Sequence, residues 1–247
     1  MEAIHLPLFR SRFEKWMGMA IVCGLVLAVG AGLGSASPVG AELELLGGAT
    51  YNTYSLDWGL IDPEDSQLPF NSGWGFYGGA QYWVSPSLAI GGQFETFTGS
   101  GRERWILADG TIAVRVGIKG NGTGYLATLA APIATEGPID ATVFAAVGVY
   151  DIAADVTLRA DSSGGTPGAV AATGRLSGPS QVGGKFGVTV GKRLRPGLAV
   201  AGQLAYRLVP AFQDLRLEVL GLEQDWVADR GIDVSGVSAG VGFVYSF

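Results

Sequence analysis

The side chains able to do chemistry are few, and their positions exclude most of it. The chain of 247 residues has one histidine, His5, and one cysteine, Cys23, both near its start. A Ser–His or Asp–His hydrolytic site needs an imidazole base. Once a leader carrying His5 is removed, no such site can be assembled, and no zinc-type site on His or Cys either. Asp57, Asp62, Glu64 and Asp65 could offer oxygens to Ca²⁺, but they lack the EF-hand spacing and read as a solvated acidic loop. We therefore expect no catalytic, cofactor or metal residues, and no enzyme. What remains is a set of polar side chains that alternate with apolar ones: Glu44, Gln81, Gln93, Glu95, Lys185, Gln203 and Arg207. Gathered in one interior, they would pair, because a buried charge without a partner is costly. The expected lumen network is Glu44, Gln93, Glu95, Lys185, Gln203 and Arg207. Glu95 and Lys185 stand about equally far from their nearest Pro-containing turns, and Arg207 stands higher.

Strands must carry that set, because its period is two. Eight are predicted, over 42–54, 73–84, 88–98, 111–133, 139–159, 182–192, 197–208 and 232–247. In the third, Leu88, Ile90 and Phe94 share one face and Gln93 and Glu95 the other. The fourth changes phase: Ile112, Val114, Val116 and Ile118 have one parity, while Tyr125 to Ile133 continue with the opposite one. A glycine-rich bulge at Asn121–Gly124 is the expected cause, with a separate hairpin as the rival. Three connections are short and contain proline: Ser85-Pro86-Ser87, Glu136-Gly137-Pro138 and Arg193–Pro196. The other four, 55–71, 99–110, 160–181 and 210–231, are long and read as loops. A repeat supports the meander: Ser85-Pro86-Ser87-Leu88-Ala89-Ile90 parallels Arg195-Pro196-Gly197-Leu198-Ala199-Val200.

Composition fits this layout. The chain is 48% hydrophobic and 15% charged, with 40 glycines, which disfavours both disorder and an ordinary helical enzyme. A net charge of −6 with no basic stripe argues against a nucleic-acid partner. The start has the three parts of a secretory signal peptide. Arg10, Arg12 and Lys15 precede the apolar run Met17 to Leu33, and small residues follow from Gly34 to Ala41. Cleavage after Ala41 is expected, or after Ala36, leaving a single domain over 42–247.

The last strand carries a family resemblance. Ala239, Val241, Phe243, Tyr245 and the terminal Phe247 alternate with small or polar residues. This pattern resembles the sorting signal that the barrel-assembly machinery reads in bacterial outer-membrane β-barrels. With the alternating long and short connections, the whole mature chain is similar to the small eight-stranded barrels of the OmpA-membrane-domain, OmpX and OmpW type. The resemblance implies an all-β, antiparallel up-and-down transmembrane barrel in the outer membrane. Its apolar faces would meet lipid, with Trp74, Tyr82, Tyr206 and Tyr245 in interface girdles. Eight strands leave an interior just wide enough for side chains to fill. The expected function is therefore carried by extracellular loops, in surface interaction or envelope stability with an extracellular partner. The alternatives are a narrow channel or transporter for small or hydrophobic molecules, as OmpW resemblance implies, and a soluble periplasmic ligand-binding barrel. The latter would turn the apolar faces inward.

Overall fold

The computed structural model describes residues 42–54, 72–106, 112–133, 139–162, 170–212, 215–219, 222–225 and 232–247. The N-terminal segment with its proposed cleavage sites, the acidic stretch 55–71 and the turn at Glu136–Pro138 lie outside them. The strands are β1 (Leu43–Tyr54), β2 (Gly73–Ser85), β3 (Leu88–Ile106), β4 (Ile112–Ile133), β5 (Ile139–Ser162), β6 (Val170–Ser177), β7 (Gln181–Arg195), β8 (Leu198–Leu208), β9 (Arg216–Val219), β10 (Leu222–Asp225) and β11 (Gly236–Ser246).

Eight of them close a ring: β1, β2, β3, β4, β5, β7, β8 and β11, with every pair antiparallel and β11 hydrogen-bonded back to β1. Closure removes the sheet edges and pairs the ladder groups internally, as a bilayer demands. The ring is strongly staggered. A path of facing residues leaves β1 at Glu44 and runs through Gln81, Gly91, Thr128, Ala146, Lys185, Arg207 and Gly236. It returns to β1 at Tyr54, ten residues further along. Such a stagger on eight strands tilts them by roughly 40°. The tight turns sit at one end. At one of them Gly197 takes φ 75°, a left-handed conformation that glycine adopts without a Cβ clash. The C-terminus closes the same end: Phe247 N–H donates to the Leu43 carbonyl at 3.0 Å.

Three of the segments read as loops are partly strand. β3 continues to Ile106, β5 to Ser162, and β6, β9 and β10 occupy parts of 160–181 and 210–231. β6 pairs with the far half of β5, and β9 with β6. Together with β3, β4 and β10 they raise one wall beyond the ring. The 22 residues of β4 span roughly 70 Å along the strand, or roughly 50 Å of height at this tilt, against ~30 Å of hydrocarbon.

The expected bulge in β4 is absent. Its register runs unbroken from Ile112 to Ile133 against β5 and from Ala113 to Ala130 against β3. One parity faces inward throughout the described side chains: Ile118, Gly120, Gly122, Gly124 and Leu126 are buried, while Lys119, Asn121 and Tyr125 are exposed. The apolar pattern changes phase because the surroundings change and the chain does not. Near the short turns the outside is apolar and the inside polar. In the wall the inside is apolar and the outside polar. β5 makes the same exchange. Val147 and Val149 point out and are exposed, then Ile152, Ala154 and Val156 point in and are buried, with Asp151 and Asp155 outside. The two glycines in the supposed bulge make room. A Cβ on Gly122 would run into the Phe97 ring, and one on Gly124 would meet the Tyr150 ring at 2.7 Å.

Candidate functional site

The lumen is built in layers, each set by the inward parity of its strands. At the short-turn end lies a cavity of about 640 Å³. Its rim includes Glu42, Asp140, Arg193 and Pro196, its walls include Trp83, Phe144, Thr128, Thr142 and Thr189, and its inner end holds Gln93 and Gln203. Glu44 belongs to this cavity. It accepts hydrogen bonds from the Gln81 amide and, at 3.2 Å, from the Ser246 hydroxyl.

Beyond the inner end three charged side chains seal the lumen. Glu95 on β3 takes Lys185 Nζ of β7 at 2.7 Å on one oxygen and Arg207 Nε of β8 at 2.8 Å on the other. All three are fully or almost fully buried. Lys185 also donates to Gln203 Oε1 at 3.3 Å, and Arg207 to Asn52 Oδ1 at 3.2 Å. The Arg207 guanidinium lies 4.1 Å from the centroid of the Phe97 ring, close enough for the π face to compensate part of its lost hydration. One carboxylate thus joins two cations from strands that face it across the barrel, and a neutral amide oxygen takes one further donor of each.

The structure brings Glu95, Lys185, Gln203 and Arg207 together. It does not bring in Glu44, which the sequence reading placed in the same network. The barrel stagger is the reason: Glu44 and Lys185 lie on one path of facing residues, yet that path climbs as it circles, so they end at different heights. Gln93 is also inward and buried, but its Nε2 has no hydrogen-bond partner among the described residues. Arg207 faces Lys185 across β7 and β8, one step further along the climbing path, so it stands slightly higher, as expected, and still reaches the other oxygen of Glu95. Asn52 was missed. It has the inward parity of β1, but only the stagger between strands brings it beside Arg207, and parity within one strand does not show that.

Past the charges the interior is apolar. Tyr54, Phe97, Ile118, Leu126, Tyr150, Ile152, Val156 and Leu176 form one buried cluster with Val209, Phe212, Leu215, Ile232 and Val234. The last five come from the connections flanking β9, β10 and β11, and they cap the lumen. A two-way bridge between Phe212 and Ile232, at 2.9 and 3.1 Å, holds the cap. Ser235 Oγ ties it to both backbone groups of Val209.

The outer surface of the ring is the reverse. Phe76, Ile90, Leu204, Val241 and Phe243 are exposed, Phe76 by 66%. Trp74 and Tyr51 meet edge to face, 5.3 Å between centroids, at the far end of β1 and β2. Tyr82 and Tyr245 stand exposed near the short turns, and Tyr206 packs on Phe186 near the far end of β8. The five residues of the proposed sorting signal, Ala239, Val241, Phe243, Tyr245 and Phe247, are all exposed on this face. An apolar, aromatic-edged outside around a charged inside suits lipid and not water, so the soluble barrel with its apolar face inward is excluded.

Comparison with known proteins gives a likeness of fold. No protein-family model matches the chain, and no curated protein matches it. Among solved structures it is similar to the outer membrane protein OprG from Pseudomonas aeruginosa, at 12% identity over 84% of this chain and 96% of that one, TM-score 0.49. It is also similar to a major outer membrane protein from Thermus thermophilus, at 14% identity over 85% and 100%, TM-score 0.47. Neisserial surface protein A is a third, at 10% identity over 85% and 99%, TM-score 0.42.

Proposed function

We propose that this eight-stranded outer-membrane β-barrel works as a closed-lumen surface protein, presenting its wall of β3, β4, β5, β6, β9 and β10 outside the cell. The observation that carries the reading is the sealed interior. The Glu95–Lys185–Arg207 cluster and the apolar core with its cap occupy consecutive layers of the lumen. A continuous water path would have to break two ion pairs and empty a packed core. The wall, by contrast, is polar outside. Lys119, Asp155, Arg175 and Glu218 face one another in turn across four strands, with alternating charge, and all four are exposed. Opposite charges directly across a sheet favour a rigid, soluble face, which suits contact with an extracellular partner or support of the envelope. The lipid of the outer membrane and the barrel-assembly machinery, reading the strand that ends in Phe247, are the other partners of this reading.

Two measurements test it together. Purified barrel in planar bilayers should give no regular conductance steps, and a membrane-impermeant amine reagent on intact cells should modify Lys119. Steady channels would overturn the closed lumen in favour of the narrow transporter. An unreactive Lys119 would place the wall on the wrong side.

A further inference from the structure

We infer that the cavity at the short-turn end is a binding pocket for a short peptide, which enters with its carboxylate leading. At about 640 Å³ it has the size of a small-molecule site, and its inner end is shut by the ion-paired cluster. That inner end offers hydrogen-bond donors. Gln93 lines it at 6% exposure; its Nε2, unpartnered among the described residues, is itself buried, so a turn of the side chain is needed to bring it to a ligand. Gln203 gives its carbonyl oxygen to Lys185, so its NH₂, on the other branch of the planar amide, is not the group that Lys185 engages. Directly behind stand two cations against one carboxylate, Lys185 and Arg207 against Glu95. The inner end therefore favours an acceptor with negative charge.

The rim has the opposite bias. Among the described residues it carries Glu42, Glu44 and Asp140 against Arg193 alone, and Arg193 is taken by Asp140 at 3.3 Å. Between the two ends, Thr128, Thr142 and Thr189 supply hydroxyls, and Trp83 and Phe144 supply apolar wall. The complement of this arrangement is a dipolar ligand with a carboxylate at one end, an ammonium at the other and amides between. A simple anion would leave the acidic rim uncompensated, and a simple amine would leave the Gln93 donor unused.

The test is calorimetric titration of the detergent-folded full barrel with trialanine, with trialanine carrying a C-terminal amide, and with N-acetylated trialanine. Trialanine should bind, and each blocked form should bind less, the amide by about tenfold, the worth of one charge-assisted hydrogen bond. Gln93→Leu should lose trialanine by about the same factor. Gln93→Glu, which keeps the shape but places a carboxylate at the inner end, should lose more. Both variants are first required to keep the heat-sensitive gel mobility of a folded barrel, and if only one does, that one decides. Absence of trialanine binding at millimolar concentration would overturn the proposal. So would equal binding of all three peptides, or unchanged binding in the folded Gln93 variant.

Discussion

At the scale of single residues, the charged cluster is a test of what burial demands. Glu95 is the shared partner of Lys185 and Arg207, so Glu95→Gln leaves two buried cations with no counter-charge. Breaking a buried pair in this way costs about 3–5 kcal/mol. Urea unfolding in detergent, followed by loss of the fast-migrating folded band, should show that drop. The double variant Glu95→Gln with Lys185→Met should recover part of it, because one of the orphaned charges is then gone. Steric fit gives a second expectation. In Gly122→Val the new side chain would push into the Phe97 ring, which already occupies the space a Cβ would need. It should destabilise by roughly 1–3 kcal/mol, the usual cost of overpacking. That Glu95 and Lys185 would meet was readable from their parity and their distance from the turns. The participation of Asn52 and the separation of Glu44 were not, since both depend on the stagger between strands.

Among the elements, β4 and β5 separate what periodicity reports from what it means. Periodicity reports which side of a strand is apolar, and in an ordinary chain that side has one fixed meaning. Here the meaning changes along the strand, because its lower part stands in lipid and its upper part in water. Sequence alone reads the change as a slip in phase and supplies a bulge to explain it. The register, continuous through Asn121–Gly124, identifies the change as one of solvent. Two outcomes follow. Cysteines at the facing positions Ser100 and Lys119 should form a disulfide on mild oxidation, which a bulge or a separate hairpin at Asn121–Gly124 would prevent by moving them out of register. On β5, Val147→Arg should cost about 2–4 kcal/mol, as a cation on the lipid face does near the middle of the bilayer. Thr157→Arg, on the same outer face but in the wall, should stay within about 0.5 kcal/mol. Equal costs measured in the same urea titration would contradict the placement of the membrane boundary between them.

For the whole molecule, closure governs stability. Every ring strand has two neighbours, and the last is zipped to the first over eleven facing pairs, from Glu44–Ser246 to Tyr54–Gly236. The unboiled protein should therefore migrate faster than the boiled one on detergent gels. Deleting Tyr245 to Phe247 should abolish the fast band, by removing three of the residues that close the ring at its short-turn end. The order of residues was enough to read the strand faces, the short proline turns, the closing C-terminal strand and the existence of charges that must share an interior. These are local properties, set by a two-residue period and by the backbone limits of proline and glycine. Which charges meet, where the lumen is open and where it is packed, and that parts of three long connections rise as a sheet became visible only once the strands were assembled. Those outcomes depend on strand stagger and on the position of the water–lipid boundary, and neither quantity is encoded within any one strand.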